Sequence, residues 1–329
     1  MMAEVIELIR RHRMLLDQQD RTVALGMARA WADATRALAS EFEAVAAEVA
    51  MLQGAGRPVT MWHVSRLARY QALLGQIDAR QRELLPGVVS EIETGQAAMV
   101  RLGLMHSQEA ASALAGGVAA QFDRLAFEAV AGMVGNTGAG TPLGRLLREA
   151  WGRNAGAVGE ALVRGTALGW NPVRTAQAMR QAQDRNLTRL ITIARTETAR
   201  VYRDVTQQQY RAAGVPGYRR VASHSPRTCM ACLMMDGQWF PMDVAFQEHV
   251  LGRCTQVPSR ESRVSPAAWE TGEQWFARQD GATQRAMLGR GRYLAWQRGV
   301  FDLREIPVLV DDPTWGGAWQ ERTLRDLAG

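Results

Sequence analysis

The sequence contains no lysine, so all 39 of its basic side chains are arginine. Cysteine is nearly as scarce, with three in 329 residues. There is no run of about 18 apolar residues, the least a membrane-spanning helix needs. The most apolar stretch, residues 110–134, is interrupted by Asp123 and Arg124. No charged-then-apolar leader opens the chain. These absences predict an unsecreted, soluble protein with no membrane partner. An odd number of cysteines argues against a disulfide framework, and reduced thiols suit a metal or an inert core. At 47% hydrophobic and 22% charged the composition is globular rather than disordered. The length suggests two domains, or one domain with a long helical arm.

What little cysteine there is falls in one 26-residue window: Cys229, Cys232 and Cys254, with His249 between the last two. C-x2-C is the usual knuckle spacing of structural zinc sites, and three thiolates with one imidazole make a tetrahedral ligand set. The surrounding unit, residues 217–258, is too small to build much core of its own, and a metal offsets that. His224 and Asp236 stand near the pair as further donors. Two other readings are open. The thiols can be unmetallated core residues, or Cys229 or Cys232 can act as a nucleophile with His249 as base.

The net charge of +6 is uneven. Residues 1–140 carry 13 Arg against 15 acidic side chains, and residues 141–329 carry 26 against 18. A GC-rich genome is the plainer reading of this all-arginine balance. A contact with phosphate or an acidic surface in the second half is the functional alternative. Arg219, Arg220, Arg227 and Arg253 surround the cysteine window, with Arg260 and Arg263 beyond it. They are the candidates for DNA contact, and a solvated face is the simpler alternative.

Apolar spacing predicts an α+β, predominantly helical fold. Residues 1–53 read as helix, broken at 54–58. Thr60 can cap a second long helix, which Pro86 ends or kinks, and residues 88–134 keep helical propensity. Residues 1–134 thus form an N-terminal helical arm. Gly135 to Pro142 is a linker, since no strand precedes it and no Gly-Lys-Ser/Thr follows to make it a phosphate loop. Residues 143–168 form a helix. Asn171 and Pro172 start a short one running to about 182, and another runs from about 186 to 213 and stops at Gly214. Residues 218–224 and 238–240 read as short strands around the cysteine pair, with Asp236-Gly237 as a turn. A helical tail, residues 265–329, holds five of the ten tryptophans and must pack onto something.

Ile191, Ala194, Thr198, Val201 and Val205 form one apolar stripe on the helix before Gly214. Arg195 and Glu197 fall on opposite shoulders of it, too far round to pair with each other. Each should reach a different neighbouring element, which suits a structural clamp. The alternative is an enzyme, with Glu197 serving ADP-ribosyl transfer or the Cys/His set serving hydrolysis.

The order of these motifs resembles the Mu F-like phage head morphogenesis family, the minor head proteins of tailed phages. The matching stretches are Thr141-Pro-Leu143, Leu162-Val-Arg-Gly165, Gly169-Trp-Asn-Pro172 and Thr192-Ile-Ala-Arg-Thr-Glu-Thr198. They continue with Tyr210-Arg-Ala-Ala-Gly214, Arg227-Thr-Cys-Met-Ala-Cys232, Asp236-Gly237 and His249 through Pro258. A tail segment with Trp275-Phe276, Leu288-Gly289, Tyr293 and Trp296 is similar to one often found behind this domain. The resemblance covers roughly residues 141–325, with the head morphogenesis domain at 143–264. It implies a non-enzymatic structural protein that binds the portal inside the capsid and assists head assembly, DNA packaging and ejection. Its location would be the virion at the portal vertex, after assembly in the host cytoplasm. Partners would be the portal protein, capsid or scaffold proteins, and packaged DNA. A zinc-knuckle DNA-binding protein is the second reading. The family's last segment typically reads His-Pro-x-Cys-Arg-Cys; here Val250 replaces the proline and Gly252 the first cysteine. Either Cys254 serves as the metal ligand instead, or zinc is absent.

Overall fold

The computed structural model of the chain describes residues 2–57, 59–114, 130–137, 140–151, 154–260, 270–312 and 315–329. The fold is α+β and predominantly helical, with a three-stranded and a two-stranded antiparallel sheet among the described residues. Among those residues no helix is long and apolar enough to cross a membrane.

The single helix expected over 1–53 is two, α1 (Met2–Thr35) and α2 (Leu38–Gly54). At the junction the Thr35 hydroxyl donates to the Trp31 carbonyl at 2.8 Å, a back-bond that competes with helix propagation. The one-turn α3 (Met61–Val64) precedes α4 (Ala68–Leu114), which runs through Pro86. Buried Ile77 on one side of the proline and Val88 and Ile92 on the other hold the helix where one hydrogen bond is lost. Of the arm's last stretch, 115–129 lies outside the described residues, as do 138–139 of the linker.

Then come α5 (Leu143–Trp151), α6 (Asn154–Ala167) and α7 (Pro172–Ala212). Asn171 caps α7: the Arg174 N–H donates to its Oδ1 at 2.8 Å, and Pro172 fills the first helical position. The break expected near 182–186 is absent. That stretch has neither Gly nor Pro, and Ala182, Gln183, Asn186 and Leu190 continue one buried face. Gly214, at φ 68°, ends the helix where only a residue without Cβ enters the left-handed region freely.

The chain divides into two units that interleave along the sequence. One comprises Met1–Gln19, Gln96–Ala139 and Thr196–Gly329; the other comprises Asp20–Gly95 and Gly140–Arg195. Helices α1, α4 and α7 each give a segment to both. The partition read from composition, at 134, 142 and 264, follows the sequence; this one follows packing. Among the described residues the second unit has helices and no strand longer than a single bridge, and is cored by Leu38, Phe42, Leu73, Ile77, Leu162 and Met179.

The first unit carries the cysteines. Strands β1 (Gly217–Val221), β2 (Trp239–Pro241) and β3 (Thr255–Ser259) form an antiparallel sheet in the order β2-β1-β3, with Tyr218 opposite both Phe240 and Pro258. The one-turn helix α8 (Met230–Met234) lies in the β1–β2 connection. Cys232 and Cys254 belong to a core that includes Val5 and Ile9 of α1, Ala110 of α4, Tyr210 of α7 and Val257 of β3.

The tail begins as expected with α9 (Gly272–Ala277), α10 (Gly281–Leu288) and α11 (Arg290–Gln297), while 265–269 lie outside the described residues. Its second half adds strands β4 (Pro307–Asp312) and β5 (Gly316–Glu321) before a last turn, α12 (Leu324–Ala328). Pro307, the Val308-Leu-Val310 run and Gly316-Gly317 all disfavour helix. The tail packs on α8: Phe276, Leu288, Phe301 and Ile306 cluster with Met230 and Leu233. A Cβ on Gly272 would lie 2.3 Å from the Leu233 carbonyl oxygen, so this approach requires glycine.

Candidate metal centre

Cys229 is the N-cap of α8, with its Sγ 3.3 Å from the Cys232 backbone nitrogen, which donates to it. One helical turn therefore brings the C-x2-C thiols onto the same face. His249 enters from the β2–β3 connection. Its Nε2 lies 3.4 Å from Cys229 Sγ and 3.3 Å from Cys232 Sγ. Its Nδ1 lies 2.8 Å from the Val250 carbonyl oxygen. A carbonyl only accepts, so Nδ1 carries a proton, and Nε2 is the nitrogen turned toward the sulfurs. Tetrahedral zinc with Zn–S near 2.3 Å and Zn–N near 2.0 Å has ligand–ligand edges of about 3.5 to 3.8 Å. The two nitrogen–sulfur separations sit close to that spacing.

Cys254, immediately before β3, does not join this triplet directly. It groups with Cys232 and Glu248, all three donor atoms lying within 4.8 Å of one another. The four residues expected from the sequence are thus brought together as two overlapping triplets that share Cys232. Glu248 is the residue sequence reasoning missed, and its only signal was its place beside His249. Its Oε1 is 3.5 Å from Cys232 Sγ and 3.3 Å from His249 Nε2, and its Oε2 accepts from Arg220 at 2.7 Å. Burial alone would raise its carboxyl; Arg220, His249 and Arg203 outweigh that and hold it down at about 2. Arg220 also donates to the Gln247 carbonyl at 2.7 Å and lies over the Phe246 ring.

Helix α7 holds the loop that carries these groups. The Leu251 N–H donates to Thr196 Oγ1 at 3.2 Å, and Arg203 donates to the Gly252 carbonyl at 3.1 Å. Leu251 itself takes φ 61°, the left-handed region. The Gln256 amide in β3 donates back to the Arg203 carbonyl at 2.6 Å. The Thr192–Thr198 stretch and the His249–Cys254 stretch, separate in sequence, meet here.

The other predicted residues separate. Arg195 pairs with Asp20 of α1 at 2.6 Å. Glu197 does not reach a neighbouring element directly; it is buried and pairs with Arg200 on its own helix at 2.8 Å. Arg200 in turn bonds Asp204 at 2.5 Å and the Asn136 carbonyl at 3.0 Å, so the link off the helix runs through the arginine. Burial pushes the Glu197 carboxyl up, against the pull of Arg200. Arg219 and Arg220 are not available to DNA phosphate. Both are buried in the central strand, Arg219 donating to the Gly237 carbonyl at 2.7 Å and Arg220 paired with Glu248. Arg227 and Arg253 are exposed. Arg263 lies outside the described residues. His224 and Asp236 pair with each other at 2.8 Å, and Asp236 also accepts from the Ala222 N–H, so they close the β1–β2 connection.

The hydrogen bond with Cys229, together with burial, pushes the Cys232 thiol well up, and the hydrogen bond with Cys232, together with burial, does the same to Cys254. A thiolate at either position, whether nucleophile or metal ligand, has to form against that shift. Thiols held neutral release protons when a metal takes them as ligands. No known protein family, curated protein or solved structure matches this chain.

Proposed function

We propose that this chain is a structural minor head protein of a tailed phage or prophage, bound to the portal inside the capsid and assisting head assembly and DNA passage. Its Cys/His unit holds a structural zinc ion through Cys229, Cys232 and His249, with Cys254 as the fourth ligand and Glu248 kept beside the site by Arg220. The zinc would supply cross-linking between α8 and the β2–β3 connection, not chemistry. The observation that carries this reading is the junction of Thr196 with Leu251, where two stretches of the recognised motif order support one another. The donor set suits the metal, because His249 turns Nε2 toward both sulfurs of the C-x2-C pair, while Cys254 would close on the triplet from its place beside Cys232 and Glu248.

The test has two arms. Heads purified from an induced lysogen or lysate should contain this chain by mass spectrometry, and it should co-purify with the portal protein. Heads lacking the chain would overturn the reading. Protein prepared without chelator should carry close to one zinc per chain, and Cys229→Ser or His249→Ala should lose it; less than about 0.2 zinc per chain removes the metal. A free DNA-binding protein would instead show steep salt-dependent DNA affinity without any portal.

A further inference from the structure

Helices α2 and α6 finish side by side at one end of the second unit. The Gln53 amide in the last turn of α2 donates to the Thr166 carbonyl in the last turn of α6 at 3.1 Å. Beyond α2 the chain folds back at once, the Arg57 N–H bonding the Leu52 carbonyl, and leads into α3. Beyond α6 it turns at Gly169, the Trp170 N–H closing on the Gly165 carbonyl at 2.9 Å, and enters α7. These two connections carry large apolar side chains that the core does not use. Met51 is 70% exposed, Trp62 57%, Leu168 62% and Val173 74%. Among the described residues of the second unit, Leu25 is the one other large apolar side chain so exposed. A single exposed apolar residue is ordinary, but four around two adjoining turns make a patch.

The charge at this end has one sign. The chain holds 33 acidic residues in 329, yet none falls in residues 49–77 or 161–183, which hold six arginines. Arg69 pairs with Glu48 and Arg180 with Glu43, both carboxylates of α2. Arg57, Arg66, Arg164 and Arg174 are exposed and have no carboxylate partner among the described residues. Two of these four lie over aromatic faces: Arg66 is 3.8 Å from the centre of the Trp62 ring, and Arg174 is 4.2 Å from that of Trp170. Each stack holds a guanidinium beside an indole, so part of the ordering that a contact demands is met in advance.

This composition narrows the occupant. Tryptophan, methionine and arginine without carboxylates are what protein–protein contacts concentrate. A second copy of this end would bring arginine against arginine, which opposes pairing. Nucleic-acid phosphate would answer the arginines but leave Met51, Leu168 and Val173 without a partner. The complement is a protein surface with an apolar centre and carboxylates around it, where guanidiniums form bidentate pairs.

We propose that this end of the second unit is the docking surface for such a protein partner. Trp62, Leu168 and Val173 enter its apolar centre, and the four exposed arginines meet its carboxylates. The partner's identity rests on the portal reading above, which makes it the portal protein. That reading assigns the contact to no surface; this one assigns it to the turns after α2 and α6 rather than to the tail or the Cys/His unit.

The test is binding of the full chain to the portal protein, read by calorimetry and by hydrogen exchange of the complex. Residues 49–77 and 161–183 should gain protection on binding. Arg57→Gln with Arg174→Gln, and separately Leu168→Asn with Val173→Asn, should each weaken binding about tenfold or more. All four positions are exposed, so the thermal midpoint should hold. Arg298→Gln, at an exposed position of the tail, should leave affinity unchanged. A wild-type chain that does not bind the portal overturns this proposal together with the portal reading. Portal binding that both double variants leave unchanged overturns this proposal alone. So does a loss confined to the arginine variant, which would mean charge without apolar contact. Duplex DNA or phosphatidylserine vesicles bound as tightly as the portal, and lost in the same variants, would assign the surface to phosphate or a bilayer and overturn it too.

Discussion

Glu248 fills the space that a side chain on Gly252 would need: a Cβ at position 252 would lie 2.2 Å from Glu248 Cγ. The space is taken by a carboxylate from four residues earlier, neutralised by Arg220. Position 252 does not require positive φ, so only the collision forbids a larger residue. Gly252→Cys alone should destabilise by about 1 to 3 kcal/mol through overpacking. Adding Glu248→Ala should relieve the collision, and a double-mutant cycle by urea unfolding should show coupling above about 1 kcal/mol. Additive effects would mean the two positions do not share one volume.

The Arg220–Glu248 pair is closed to water on both sides, with side chains 2% and 1% exposed. Breaking it leaves one charge buried and unmatched. Either Arg220→Met or Glu248→Gln should cost about 3 to 5 kcal/mol in urea unfolding with chelator present. Arg220→Met combined with Glu248→Leu should recover much of that loss, because apolar replacement removes both desolvation costs. A single-variant cost below about 1 kcal/mol would show that water reaches the pair.

Alkylation should separate the thiols. Cys229 is half-buried, whereas Cys232 and Cys254 are buried with raised thiols. In chelator, iodoacetamide should modify Cys229 first and the other two only slowly, as read by peptide mass spectrometry. Added zinc should protect Cys229. Equal rates with and without zinc would count against a thiolate-bound metal.

Two imidazoles give the first unit an acid limit. His12 of α1 and His106 of α4 stack with ring centroids 3.5 Å apart, His12 bonding Glu109 at 2.7 Å and His106 bonding the Tyr202 hydroxyl at 3.1 Å. Burial lowers both. For His106, burial and then His12 bring the value down to about 3; for His12, Arg11 adds to the lowering while Glu109 opposes it. Groups with depressed folded values resist protonation in the native state only. Their stabilisation is complete above the unfolded value near 6.5 and is lost as pH falls toward 3. Unfolding free energy should drop by about 2 to 3 kcal/mol between pH 6.5 and 4.5, before most carboxylates titrate. His106→Phe should flatten that slope; an unchanged slope would place the acid sensitivity elsewhere.

The helical character, the strands flanking the cysteine pair, the Asn171-Pro172 start and the Gly214 stop were legible because each rests on local chemistry. The thiol–imidazole convergence was legible because spacing limits what a short loop can gather. What the sequence hid was long-range. Nothing local marks Thr196 as support for Leu251, and Arg220 in a strand looks like any surface arginine until Glu248 is placed against it. The continuity of α7 through Gln181–Asn186 was set by a buried face. The β4–β5 pair was masked by tryptophans that suit either structure, although Pro307 and the valines around it gave a local hint.

The Met230 N–H, first in α8, donates to the Glu321 carboxylate at the end of β5 at 2.6 Å. One face of α8 meets the Cys/His cluster, and its apolar face meets the tail, so a single turn of helix is shared by both. Tail and thiols are therefore one mechanical part. A partner that grips or shifts the C-terminal strands pulls on Cys229 and Cys232 within two residues of the point of attachment. A truncation of 265–329, chosen to map a binding surface, would also loosen the cysteine unit. Point changes on the exposed side of the tail, such as Leu309→Asp, test the same surface while leaving that shared turn in place.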